Sequence, residues 1–405
     1  MRQPLITVEE ALRRVLASAP APLAEESVAL SEAFGRTLAR DIGALRTQPP
    51  FANSAMDGYA LIAADAPKPG ATLRLIGESA AGRAFPGPVE TGATVRIFTG
   101  APLPEGADSV AIQEDASRDG DLVTFHSGVA AGDNVRHVGI DFAESAPLLS
   151  AGRRLTPRDV ALAAAANHAR LPCVRRPRVA ILATGDELVA PGEAIGPSQI
   201  VASNNLFVRG LAEASGGEGI DLGIAKDDPL ALAQAIRAAQ QGHADVLVTL
   251  GGASVGDYDL VQAALVDAGM ELGFWQIAMR PGKPLMHGRI GDLRVLGLPG
   301  NPTSSAVCGV LFLAPLVRAL LGDPQAGADK TEPAQLGAPM RQNGLRQDYV
   351  RATLTRADNG DWIATALPDQ DSSLVKVLAQ ADALIVREIG AEPAQAGSRC
   401  RILRI

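Results

Sequence analysis

Cysteine is scarce. Only three occur in 405 residues, Cys173, Cys308 and Cys400, and they stand far apart. That excludes a metal-type cysteine pair and a disulfide framework. Histidine is also rare. The five present, His126, His137, His168, His243 and His287, lack the paired spacing of a zinc site. Positive charge is the minority sign. A net charge of −8 argues against a general nucleic-acid binder, yet a few local cations can still hold a small anion. No apolar run reaches the roughly 18 residues that a membrane span needs. The longest, Ala306 to Val317, contains Gly309 and Pro315 and reads as a kinked buried helix. The N-terminal MRQPLITVEEALRRVL lacks the apolar core of a signal peptide, so a cytoplasmic protein is expected. Two signatures are missing as well: the Gly-Lys-Ser/Thr of a P-loop and the G-x-G-x-x-G of a dinucleotide site.

What is present is a folded chain in several parts. Hydrophobic residues make up 47% and charged residues 20%, a globular balance. The length suggests about two to four domains. Thr7 and Glu10 form a T-x-x-E capping box before ALRRVLASA. From Gly58 to Asn134 the chain reads as strands: TLRLIGES, TVRIFTG, SVAIQED and LVTFHS. Helix returns at Thr156-Pro157. This order gives a discontinuous helical domain over 1–50 and 141–174, with a small β domain inserted over 51–140. From Arg178 strands and helices alternate: RVAILA, NNLFVRGLAEAS, IDLGIA, PLALAQAIRAAQQ, DVLVTL, DLVQAALVDA, FWQIA, RVLGL and the closing PTSSAVCGVLFLAPLVRALL. That is a parallel α/β domain over 175–325 with helices on both faces. Gly322 to Met340 reads as a linker, and YVRATLTR, WIATAL, ADALIVRE and RCRILRI as a C-terminal β domain over 338–405. The fold class is multidomain α/β.

Ligands of open parallel sheets bind beyond the carboxyl ends of the strands. Five loops there carry unusual residues. They hold Thr184-Gly185-Asp186-Glu187, Asp227-Asp228, Gly251-Gly252-Ala253-Ser254-Val255-Gly256-Asp257-Tyr258-Asp259, Arg280-Pro281-Gly282-Lys283, and Pro299-Gly300-Asn301-Pro302-Thr303-Ser304. Each has an ordinary alternative. The GGASVG run could be a tight turn, GNPTSS a plain helix cap, and Asp228 the N-cap of PLALAQAIRAA with Pro229 at N1. Taken together, carboxylates at Asp186, Glu187, Asp227, Asp257 and Asp259 beside Arg280 and Lys283 describe a Mg²⁺–phosphate site.

In order along the chain, PPFANSAMDGYAL, RIFTGAPLPEGADSV, VRHVGIDF, LATGDEL, SNN, GGASVGDYD, MRPGKP and GLPGNPTSS resemble the motifs of the molybdopterin molybdenumtransferase (MoeA) family, which includes the gephyrin E domain. The resemblance implies an enzyme that inserts molybdenum from molybdate into adenylated molybdopterin and releases AMP with Mg²⁺. It implies an elongated homodimer whose active site lies between subunits. It also implies a catalytic set of Asp57, Thr99, Asp141, Glu187, Asp259 and Lys283, and metal ligands among Glu187, Asp227, Asp228 and Asp259. Pterin and phosphate contacts fall on Thr184, Gly185, Asp186, Ser203, Gly251, Gly252, Ser254, Gly256, Arg280, Pro299, Gly300, Asn301, Pro302, Thr303, Ser304 and Arg351, with Ser372 or Ser373 nearby. A molybdopterin adenylyltransferase is the expected upstream partner; nucleic acid and membrane are not expected. The sequence departs from the family at Ala52, Ile140, Ala253 and Arg280, none of which removes a residue assigned to chemistry. Two other readings stand beside this one: the adenylyltransferase itself, whose fold would match only the α/β block, and a non-catalytic scaffold.

Overall fold

The computed structural model describes residues 5–252 and 260–405. Its centre is a six-stranded sheet of β1 (Arg178–Thr184), β2 (Glu218–Ala225), β3 (Val246–Leu250), β4 (Glu271–Trp275), β5 (Met286–Ile290) and β6 (Leu293–Leu298), in the order β2-β1-β3-β6-β5-β4. β1, β2, β3 and β6 are parallel. β5 runs antiparallel to both neighbours, a strand the apolar runs do not announce. Its cue is the two-residue Gly291-Asp292 turn into β6, a hairpin signal.

β1 is apolar from Val179 to Ala183 because it is covered on both sides. Val179 and Ile181 face α1 (Asn204–Ala214) and the long α4 (Pro302–Leu320), meeting Val208, Phe312 and Leu316. Ala180 and Leu182 face α2 (Pro229–Gln241) and α3 (Leu260–Asp267), meeting Leu232, Ile236 and Leu265. Alternate side chains of one strand therefore feed two cores. α4 is long and apolar enough to cross a membrane, but 67% of that stretch is buried in this core. Residues Gly309–Leu313 are wound as a π-helix just before Pro315. The wider turn sits where the proline ring lacks its N–H, so the irregularity expected at this pair is a change of winding.

The first helix, Val8–Ala17, belongs with this central body. Val8, Ala11 and Val15 pack into the same cluster as Val317 and Leu320. Thr7 Oγ1 accepts the Glu10 N–H at 3.2 Å. The reciprocal half of the expected capping box is absent, because the Glu10 carboxylate turns to Arg13 and Arg14 instead. The rest of the stretch read as helical holds one α-helix, Pro157–Ala165, with a reciprocal Thr156–Asp159 box. Antiparallel pairs hold it together, Glu25–Ala29 with Arg170–Val174 and Ile42–Gly43 with Pro147–Leu149.

Between them lies a second six-stranded sheet, spanning Gly58 to Phe125. Its two faces feed separate cores, Tyr59, Leu61 and Phe125 on one side and Ala60, Val95 and Ile97 on the other. At the C-terminus, Gln347–Arg356 pairs with both Trp362–Ala366 and Ala383–Arg387. With Glu332–Leu336 and Arg399–Arg404 this closes a five-stranded barrel. Glu332–Leu336 falls inside the stretch read as linker. Only Ala334 and Leu336 of EPAQL are buried, too short an alternation to stand out. The central domain lends the barrel one more short strand, Met279–Arg280, beside Gln347–Asp348.

Candidate active site

A cleft of about 780 Å³ opens past the carboxyl ends of β1, β2, β3 and β6. Thr184, Gly185 and Glu187 come to it from β1, Asp227 from β2, and Gly251 and Gly252 from β3. Pro299, Gly300, Asn301 and Pro302 come from β6, and Ser203 from the start of α1. Its floor is backbone. Gly251 has φ +101°, and a Cβ there would sit 2.7 Å from the Thr184 carbonyl oxygen. A side chain is excluded, and the main chain is left to face whatever enters. The Glu187 carboxylate folds back over Gly185, 2.5 Å from where a Cβ would stand.

Negative charge gathers on one side of this floor. Asp186 Oδ1 accepts the Asp227 N–H at 3.3 Å. Asp227 is exposed as a residue, yet partial burial of its carboxyl pushes it above its ordinary value, and the charges of Asp186 and Glu187 push it further. The neighbouring Asp228 is used differently. Its Oδ2 accepts the Ala231 N–H at 2.8 Å as the N-cap of α2, with Pro229 at the first helical position. Asp227 faces the cleft; Asp228 does not line it. Among the described residues no three acidic, histidine or cysteine side chains close into a complete metal cage. Mg²⁺ needs none, since it takes one or two carboxylates and fills its octahedron with water and substrate phosphate. Ser254, Gly256, Asp257 and Asp259 lie outside the described residues.

The barrel braces the opposite rim. Asn301 Nδ2 donates to Ser372 Oγ at 3.0 Å, and the Thr303 N–H to the Ser372 carbonyl at 3.0 Å. Arg351 is 1% exposed; its Nη1 donates to Thr303 Oγ1 at 3.1 Å and to the Asp371 carbonyl at 2.9 Å. This differs from the sequence expectation. Arg351 stands behind the rim as a brace, and Thr303 and Ser304 are buried beside it, none of the three lining the cleft. Arg280 is likewise engaged, paired with the buried Asp348 of the barrel. Lys283 is half-buried and forms no ion pair among the described residues. Of its loop only Pro284 lines the cleft.

Asp57 and Thr99 meet, although 42 residues separate them. Asp57 Oδ1 accepts both the Thr99 N–H and the Thr99 hydroxyl, each at 2.8 Å. These bonds, with a lesser contribution from Arg96, hold the Asp57 carboxyl below its ordinary value. Gly58 fixes where the acid stands: a Cβ on it would lie 1.9 Å from the Ala111 carbonyl oxygen, so no other residue fits. Asp141 is exposed, and its N–H donates to the Gln48 carbonyl at 3.1 Å. Neither the Asp57–Thr99 pair nor Asp141 lines the cleft of its own chain. Phe51, Met56, Val138 and Ile140 are 45%, 43%, 55% and 64% exposed on the segments around them.

Asn204 and Val375 are among the cleft residues that were not singled out from the sequence. Asn204 Nδ2 donates to the Gly300 carbonyl at 2.7 Å and so ties α1 to the β6 loop. Val375 reaches the cleft from beyond the barrel strand Trp362–Ala366, together with Ser373. The SNN run was the available signal for the first; the second is a contact that only the assembled rim creates.

Comparison with known proteins covers the whole of this architecture. Family profiles match residues 6–167 (MoeA N-terminal region, domain I and II), 180–319 (probable molybdopterin binding domain) and 333–405 (MoeA C-terminal region, domain IV). A molybdopterin molybdenumtransferase of Haemophilus influenzae is 34% identical over 385 residues, 95% of each chain. One from Nostoc sp. is 33% identical over 94% of this chain and 88% of its own. A crystal structure of a molybdopterin biosynthesis MoeA protein from Pyrococcus horikosii superposes with TM-score 0.84 at 29% identity, covering 99% of both chains. Similarity of this extent, along every part of the fold, makes the chain a member of the MoeA family.

Proposed function

We propose that the chain is a molybdopterin molybdenumtransferase, inserting molybdenum from molybdate into adenylated molybdopterin and releasing AMP in a Mg²⁺-dependent reaction. The observation that carries this is the cleft itself: a glycine floor lined by the carboxylates of Glu187 and Asp227, the latter raised by partial burial and then by the charges of Asp186 and Glu187. A cation there would offset the repulsion between these carboxylates and an anionic substrate. Mg²⁺ held by Glu187 and Asp227 would neutralise phosphate oxygens and stabilise the leaving AMP. The chain supplies the remainder. The Gly251–Gly252 main chain and the Pro299–Pro302 loop hold the pterin side, and the Lys283 ammonium is available to a phosphate or to molybdate. Asp57, held ionised by Thr99, acts as a hydrogen-bond acceptor rather than a proton donor.

The same reading places the active site in a homodimer. Asp57, Thr99 and Asp141 lie off the cleft of their own chain, and exposed apolar side chains surround them. A second copy brings that surface over the first copy's cleft. The enzyme acts in the cytoplasm, and an adenylyltransferase supplies its substrate. Incubation with adenylated molybdopterin tests the assignment: AMP should appear only with both molybdate and Mg²⁺. Consumption of ATP in place of AMP release would identify an adenylyltransferase and overturn it.

A further inference from the structure

A second concavity opens at the other end of the central sheet. It holds about 330 Å³ between the Val8–Ala17 helix and strands β4 and β5. β4 has the same sense as β6 and begins here, at Glu271, whereas the cleft lies past the far ends of the parallel strands. Arg13 and Arg14 enter it from the helix and Arg289 from β5, while Glu271 is the one lining carboxylate among the described residues. Ala17, Ser18, Gly273 and Gly288 leave the space between them. Three guanidinium groups around one hollow gather donors there, with Glu10 beside Arg13 and Arg14, Asp292 at 3.9 Å from Arg289 and Glu271 on the lining.

These arginines are oriented but not saturated. Arg13 Nε and Nη2 and Arg14 Nε donate to Glu10. Arg14 Nη1 donates to the Gly273 carbonyl at 3.3 Å, and Arg289 Nε and Nη2 donate to the Gly291 carbonyl. Arg13 Nη1, Arg14 Nη2 and Arg289 Nη1 make no hydrogen bond among the described residues. The positive field registers on neighbours: after burial, Arg289 is the next group lowering the proton affinity of Arg294, and it lowers that of His287 as well.

We propose that this concavity binds a phosphate-type dianion, free or as a phosphate monoester. Planar guanidinium forks suit tetrahedral oxyanions, and the charge-assisted bonds are the strong kind. The volume sits at the small end of the range of about 300–1,000 Å³ for ligand pockets, room for a small ester but not for a dinucleotide. The site is separate from the catalytic cleft and does not depend on the proposed reaction.

Titration of the full chain with inorganic phosphate, glycerol 3-phosphate and glycerol tests this, with hydrogen exchange over 8–18 and 271–275 locating the ligand. Both anions should protect those segments and glycerol should not. Arg13→Gln and Arg289→Gln should each weaken the protection about tenfold. These side chains are 67% and 45% exposed, so the fold should survive, which the melting temperature checks. Glu271→Gln should tighten binding, an effect a merely structural role would not give. Lys283→Gln should leave it unchanged. The tighter of the two anions identifies the source. Protection that persists in both arginine variants, is lost with Lys283→Gln, or is equalled by glycerol would overturn the proposal, as would its absence.

Discussion

Asp57 and Thr99 work as a pair, and that has a kinetic signature. Thr99 spends its amide and its hydroxyl on one oxygen, Asp57 Oδ1. Replacing either residue releases the other from its position. Asp57→Asn and Thr99→Val should therefore lower kcat by comparable factors, on the order of 10²-fold, and the double variant should be little worse than the worse single one. The sign of the pH effect follows from the depressed carboxyl. A lowered value means the ionised contact is present above the ordinary carboxylate range and is lost only as pH falls through the lowered value. A kcat profile with an acid limb above about pH 5 that vanishes in Asp57→Asn would contradict this. The Asp-Gly pair was visible in the sequence as an oddity. That the glycine is forced by the Ala111 carbonyl was not, because that contact joins two strands 53 residues apart (58 to 111).

At the scale of elements, Asp227 and Asp228 divide into chemistry and structure. Asp228 starts α2, so Asp228→Ala should cost about 1 kcal/mol of stability, as N-cap losses do, with kcat close to wild type. Asp227→Asn should behave in the opposite way. Its carboxyl is raised, so the ionised form is disfavoured in the folded protein, and whatever the group contributes is lost as pH rises. Removing that charge should raise the melting temperature slightly in chelator, while turnover collapses. Screening at this exposed site keeps the gain below about 1 kcal/mol. Melting curves and AMP release on the two variants check both halves. The Asp-Pro step made the cap legible beforehand. The parallel strands were legible too, β1 as an apolar run and β2, β3 and β6 by their alternation with helices. β5 was not, because MHGRI carries a glycine, an arginine and a histidine whose Nδ1 is satisfied only by the Val295 carbonyl in the assembled sheet, at 3.1 Å. The placement of the Val8–Ala17 helix was equally hidden. Its apolar stripe says that one face is buried but not against which domain.

For the whole molecule, the separation of Asp57 from its own cleft makes a test that no single chain can pass. Asp57→Ala and Glu187→Ala chains should each be inactive alone. In the proposed homodimer, chains mixed, unfolded and refolded together would give half heterodimers with one intact site, so activity should return to about a quarter of wild type. Mixtures that stay inactive while heterodimers are present would place both residues in one chain's site. Arg351 belongs at this scale as well. Its type and position resembled an anion ligand, and only packing reveals that its guanidinium joins Thr303 to the Asp371 carbonyl across two domains.

The strand Met279–Arg280 has a consequence for dissection of the chain. It leaves the central domain to pair with Gln347–Asp348, while the residues just before it bind the N-terminus, Ile277 bridging to Ile6 and the Ala278 N–H donating to the Ile6 carbonyl at 2.8 Å. One short segment is thus spliced to both ends of the polypeptide. A barrel expressed alone from Pro333 would start with an unsatisfied seam at Gln347–Asp348 and a carboxylate, Asp348, stripped of Arg280. Natural edges of this kind invite sticking to other chains. The C-terminal unit is therefore a poor module to transplant, however neatly its own strands close.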